Sequence, residues 1–316
     1  MTAAALVLAA AISLPSIPTP KLPHISAPNI SLPHLGIRKH DWALPDQHGE
    51  PLSVVEFEWH GKLMLAPVRI NHRGPFLFAI DTSASRSVVD QRVVKKLKLR
   101  TRTVPGPDGR TPVTALWGSN LRVEDANIFA PQAYVADLNK AAQRKSDRRV
   151  QGLIGAELFT PYVVRFDPIR REMRIYDPWA FKPTTGATPI PLTERDGKLY
   201  VTMTVATASG QPVQHEVRVD TGSDTLVSDP IVDQSTPAAP VVIRDSTGRA
   251  TSARAGLLRS VQVGPYALYN VWGASDGEPS IGMELLRRFV VTFDVAHSRM
   301  YLEPTHRTWE EAKPAT

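Results

Sequence analysis

The 316-residue chain contains no cysteine. Disulfides, thiol nucleophiles and cysteine-ligated zinc are therefore excluded. Aromatic residues make up only 7% of the chain, and they do not interleave with its lysines and arginines. That argues against a nucleic-acid partner. The nine histidines fall in no metal-ligand spacing, and His24, His34 and His40 lie among prolines. Neither a metal nor another cofactor is expected. No Gly-x-Ser-x-Gly elbow and no Walker-type loop occurs, which leaves out the nucleophile-elbow hydrolases and the P-loop enzymes. The longest apolar run, Ala3–Leu14, is too short to span a bilayer as a helix.

What is abundant is proline, 28 residues, together with 19 glycines and clusters of Val, Thr and Ile. This composition favours strands and turns over long helices. Residues 1–20 read as a leader or signal-peptide core, although no Lys or Arg precedes the apolar run and no small-x-small site follows it. The leader predicts a periplasmic or secreted protein, with membrane association through the N-terminus; the alternative is an apolar cytoplasmic leader. Residues 21–51 are a Pro-rich linker, because prolines at this density prevent helix and sheet. Residues 305–316 form a polar tail. The formal net charge is +6, which reads as solvated Lys and Arg, with Arg144–Arg149 as a basic surface loop.

Between these ends the chain contains one unit twice. "LIGAELFTPYVVRFDPIRREMRIY" aligns with "SIGMELLRRFVVTFDVAHSRMYL" at a constant spacing of 127 positions, Gly155 to Gly282 and Asp167 to Asp294 alike. "FLFAIDTSAS" aligns with "HEVRVDTGSD", Asp81 to Asp220, at a spacing of 139. "GKLML" at Gly61 matches "GKLYV" at Gly197. Three blocks in the same order are a duplication, and the spacings change only by loop-sized insertions. The lobes are 52–188 and 189–304. Each reads as mostly β: Leu63–Ile70 and Phe76–Ile80 flank a turn at Asn71–Gly74, and a second pair flanks Ala208–Gln211. Asp90 caps a short helix, while Ser228-Asp229-Pro230 opens only a stub. Asp167 and Asp294 read as turn formers in the closing hairpins.

Asp81 and Asp220 each leave a buried strand into a tight Ser- or Gly-containing turn. One such loop is an ordinary strand-ending Asx turn. Two, one per repeat, place two carboxylates face to face when the repeats pack about a pseudo-twofold axis. Such a pair cannot ionise fully, so one carboxyl keeps its proton while the other acts as a base. The pair can activate a water and protonate a leaving amine, which is peptide hydrolysis without metal or covalent intermediate.

The stretch "RINHRGPFLFAIDTSASRSVVDQRVVKKLKL", with "GLIGAELF" and "SIGMELL", resembles the bacterial retropepsin-like and pepsin-like aspartic proteases over about Leu52–Pro304. The resemblance implies an all-β, two-lobed acid-protease fold made of two retropepsin-like β-barrel repeats with short helices. It implies an aspartic endopeptidase acting on a polypeptide, monomeric because both lobes lie in one chain. It assigns Asp81 and Asp220 as catalytic, and Thr82 and Thr221 as hydroxyls interlocking the two loops. Ser83 and Gly222 complete the loops, and Ser223 is matched to a serine bonded to an outer carboxylate oxygen. Asp224, with Gly109 and Gly248 in two flap hairpins, is matched to substrate binding. The first loop departs from the pattern: Ser83 stands where the family has glycine, and Ala84 lacks the hydroxyl of Ser223. A Ser at a positive φ would cost roughly 1–2 kcal/mol; otherwise its side chain would intrude on the substrate floor. Two alternatives follow. One is an impaired pseudoprotease that binds peptide or a protein partner in the cleft. The other is a duplicated β-protein used for structural or carbohydrate contacts.

Overall fold

The structure is a computed structural model that describes residues 47–128, 132–138, 150–207, 210–223, 225–235, 238–244, 250–275 and 277–305. The protein is all-β and two-lobed, with three short α-helices and two 3-10 turns among the described residues. The leader, most of the linker, the Arg144–Arg149 loop and the polar tail beyond Thr305 lie outside them. No helix of the described residues is long and apolar enough to cross a membrane.

The lobes share a floor. Its strands run Ser53–Glu56, Glu172–Tyr176, Val163–Asp167, Phe289–Asp294, Arg299–Pro304 and Ile190–Arg195, each hydrogen-bonded to the next. The two central strands come from different halves of the chain and pair antiparallel. Arg165 lies opposite Thr292, which stands 127 positions later, the spacing of the matching Ile-Gly blocks. Phe159, Phe166 and Phe293 are fully buried against one another there. Full burial of each such ring is worth roughly 1.5–3 kcal/mol, so the seam between the lobes belongs to the main core.

Above the floor each lobe carries an antiparallel strand pair whose second strand runs down to one of the two aspartates. In the first, Leu63–Ile70 pairs with Arg73–Ile80 through a turn of only two residues, Asn71 and His72. Both have positive φ, 48° and 65°, which matches the twist of the flanking strands. The turn is thus shorter than the Asn71–Gly74 expected from sequence, and Arg73 and Gly74 join the strand. Lys198–Thr207 and Val213–Asp220 form the equivalent pair. The Asp90 carboxylate accepts from the Arg92 amide and caps the helix Gln91–Leu97, and Asp229 caps the 3-10 turn Pro230–Gln234 in the same way. Asp167 and Asp294 accept from backbone amides two or three residues on, as turn formers do.

The folded part begins before the end of the expected linker at Pro51. His48 is buried, its Nδ1 lies 2.9 Å from the Lys182 carbonyl, and its ring stacks on Phe181. Proline density marks where regular structure is impossible, but it does not mark where packing starts.

Candidate active site

The strands Arg73–Ile80 and Val213–Asp220 are exposed at their beginnings and buried at their ends. Each is flanked at its buried end by a short parallel strand. Gly152–Ile154 pairs with Phe78–Ile80, and Ser280–Gly282 pairs with Arg218–Asp220. The chain then turns under the loop that follows the Asp. The Ala156 amide donates to the Ala84 carbonyl at 3.0 Å, and the Met283 amide donates to the Ser223 carbonyl at 2.8 Å. Only glycine fits just before each of these bonds. A Cβ on Gly155 would lie 2.4 Å from the Ala84 carbonyl oxygen, and one on Gly282 would lie 2.5 Å from that of Thr225. The Ile-Gly elements at the spacing of 127 are therefore the sites of close backbone approach.

The two loops meet through their threonines. The Thr82 hydroxyl donates to the Val219 carbonyl at 2.7 Å and accepts from the Thr221 amide at 3.0 Å. The Thr221 hydroxyl donates to the Ile80 carbonyl at 2.8 Å and accepts from the Thr82 amide at 3.0 Å. All four groups are buried, so each bond satisfies a donor and an acceptor that water cannot reach. The lobes also reach across to each other near the loops. Lys62 pairs with Glu284 at 2.8 Å, and Gly197 packs so closely on Ser85 that a Cβ would lie 2.9 Å from its Cα.

This clasp fixes Asp81 and Asp220, which are 2% and 0% exposed. The Gly222 amide donates to Asp220 Oδ1 at 3.0 Å. A Cβ on Gly222 would sit 2.6 Å from the Asp81 carboxyl carbon, which accounts for glycine here. Ser83 stands at the matching place without strain, as it is not among the residues of positive φ. Its amide and hydroxyl both donate to Asp81 Oδ1, at 2.9 and 2.7 Å. The case of a strained Ser83 therefore does not arise, and its side chain is bonded to the Asp81 carboxylate.

Ser223 also differs from what the resemblance implies. Its hydroxyl pairs with Thr225 Oγ1 at 2.9 Å. The outer oxygen of Asp220, Oδ2, is met by Arg218 Nη2 at 3.0 Å. Arg218 is 9% exposed, and its other arm reaches Glu278 at 2.6 Å. The sequence reading passed over both residues, yet a signal was present. "HEVRVD" carries a charge where "FLFAID" has Ala79, and an arginine near the buried end of a strand needs a partner.

Burial is the chief cause that raises both carboxyls. Asp81 is pushed up to about 6, first by burial and then by the charge on Asp220, against the hydrogen bonds of Ser83 and the charge of Arg218. Asp220 is raised by burial, opposed chiefly by Arg218. Two buried acids this close, both raised by burial, can hold a single proton between them in acid, up to about pH 6. No group of residues suited to holding a metal ion occurs among the described residues. Gly109 caps the exposed hairpin between Thr101–Pro105 and Pro112–Leu116. Asp224 and Gly248 lie outside the described residues. A cavity of about 610 Å³ between Thr225–Val227, Leu268–Ala274 and Arg287–Arg288 is lined by neither carboxylate.

Residues 66–158 match the family model described as aspartyl protease, a stretch that spans the first loop and Gly155. Among solved structures the chain is similar to an aspartic proteinase from Irpex lacteus. The identity is 13% and the TM-score 0.48, over 80% of this chain and 97% of that one. No curated protein matches the chain. The chain thus resembles the aspartic proteases in sequence and is an all-β, two-lobed protein in structure.

Proposed function

We propose that this protein is an aspartic endopeptidase in which Asp81 and Asp220 act as one dyad on a polypeptide substrate. The observation that carries the reading is the reciprocal threonine clasp, which presents two buried, coupled carboxyls from matching loops. In the reaction the ionised carboxylate removes a proton from a water held between the two. The water oxygen attacks the peptide carbonyl, whose oxygen is hydrogen-bonded by the protonated carboxyl. The tetrahedral diol collapses as the amide nitrogen takes a proton from the dyad, and the C–N bond breaks. Both carboxylates come from one chain, so a monomer suffices. The apolar leader motivates placing the enzyme in the periplasm or outside the cell.

The test is hydrolysis of an unstructured protein by the wild type, Asp81→Asn and Asp220→Asn. Each variant should lose at least about a thousandfold in kcat/KM, because the two residues act as a unit. A statine-type inhibitor should block the wild type. Wild-type turnover in either variant would rule the dyad out.

A second reading is a pseudoprotease that binds peptide or a protein partner without cleaving it. The observation that favours it is Arg218, which occupies an oxygen of Asp220 and lowers its strength as a base. Binding of the same unstructured protein without cleavage, from acid to neutral pH, would establish this reading.

A further inference from the structure

The two carboxyls of the dyad have unequal donors. Asp220 accepts at both oxygens, from the Gly222 amide at Oδ1 and from Arg218 at Oδ2. Asp81 accepts two bonds, both from Ser83 and both at Oδ1. Among the described residues, Asp81 Oδ2 accepts from none. A carboxyl that accepts at both oxygens is suited to the ionised form, and an oxygen without a donor is the one free to carry a proton.

The cation responsible belongs to one lobe only. At the position of Arg218 the first lobe has Ala79, and at the position of Glu278 it has Gln151. The Gln151 side chain accepts from the Leu77 amide at 3.0 Å. The second lobe thus carries a matched pair, a buried arginine and the glutamate that orients it, where the first carries two uncharged residues. Around Arg218 stand Glu278 from the segment before Ser280–Gly282, and Tyr200 and Lys198 from the neighbouring strand. Tyr200 donates to Glu278 at 3.3 Å and Lys198 lies 3.9 Å from it. Arg195 stacks on the Tyr200 ring and pairs with Glu216. Asp220 itself is faced by Arg218 and the Ser83 hydroxyl, and its charge acts on Asp81.

We propose that Arg218 is a positioning residue that makes the dyad unequal, holding Asp220 as the carboxylate and leaving the single proton on Oδ2 of Asp81. Asp220 is then the base toward water, and Asp81 is the acid toward the substrate carbonyl. The catalytic consequence rests on the proteolytic reading; the placement of the proton does not.

The experiment follows the aspartate carboxyl carbon-13 signals of the whole chain against pH. Asp81 and Asp220 are assigned by their loss in Asp81→Asn and Asp220→Asn. In the wild type, Asp220 should be ionised at lower pH than Asp81. In Arg218→Met the titration of Asp220 should move up by about one unit or more, the effect of removing an opposite charge in contact. Arg218→Lys should fall between the two. In the kcat/KM profile both limbs should move to higher pH in Arg218→Met, which a purely structural role for the arginine would not produce. Ionisation of Asp81 before Asp220 in the wild type would overturn the proposal. So would an Asp220 titration indifferent to Arg218→Met. Should that variant fail to fold, the order of titration in the wild type decides alone. If the carbon signals behave as stated but no form hydrolyses peptides, the proteolytic reading falls and the proton placement stands.

Discussion

Two hydrogen bonds from Ser83 end on one oxygen of Asp81. The hydroxyl bond stabilises the ionised form, so removing it should raise the pKa of Asp81 further. Ser83→Ala keeps the Cβ and deletes the hydroxyl, with its bond to Asp81 and its smaller effect on Asp220. Its alkaline limb in kcat/KM should move to higher pH by roughly half a unit, the worth of one charge-assisted bond partly replaced by water. Ser83→Gly should shift the limb alike, and it should not raise the maximum, since there is no strain to relieve. A limb that stays in place in both variants would mean the hydroxyl does not serve the dyad. At this scale the sequence showed which residues meet but not which atoms. The pair Asp81 and Asp220 was legible because the loop occurs twice. The partner of Ser223 was not, because a second hydroxyl two residues on, that of Thr225, competes with the carboxylate for its bond. Arg218 was legible only as a misplaced charge, since its role depends on Glu278, a residue sixty positions away.

Among the elements, the short strands and turns that thread under the loops set how precisely the carboxyls are held. Their glycines leave no room for a methyl group, because backbone carbonyl oxygens lie within 2.4–2.5 Å of where it would sit. Gly155→Ala and Gly282→Ala should each destabilise by about 1–3 kcal/mol, as overpacked sites do. On the proteolytic reading each should also lower kcat with little change in KM, because the backbone must shift directly beneath a loop that holds one of the two aspartates. Denaturant midpoints and steady-state kinetics check this. Unchanged stability in either variant would show that the loops can move aside. These elements were readable in outline from the repeated Ile-Gly blocks. The parallel pairing behind the loops was not, since residues far apart in sequence form it and local periodicity carries no trace of it. The two-residue hairpin at Asn71 and His72 was misread for a related reason. Gly74 looked like the turn residue, but the turn glycine was not needed where Asn tolerates a positive φ.

For the whole molecule, the seam between lobes fixes the dyad and imposes a cost on it. Burial raises both acids, and the charge of Asp220 raises Asp81 further, so the folded state binds protons more tightly than the unfolded chain does. For Asp81 this contribution to stability is fully present below about 3.8 and is lost as pH rises through about 6. Asp81→Asn removes the ionisable group and keeps an acceptor for Ser83. It should therefore raise the thermal midpoint above pH 7, by an amount on the order of 3 kcal/mol in stability, and change it little near pH 4. A variant no more stable than wild type at neutral pH would mean the pair carries no strain. On the proteolytic reading the same raised carboxyls set the pH range of hydrolysis, since a pair holding one proton exists only below the second ionisation. The most direct test of the account is kcat/KM for one fluorogenic peptide from pH 3 to 8, for the wild type, Asp81→Asn and Asp220→Asn. The account predicts wild-type hydrolysis that falls away as pH rises through about 6, and no measurable hydrolysis by either variant. Hydrolysis that persists in a variant, or a wild type silent at every pH, would contradict it.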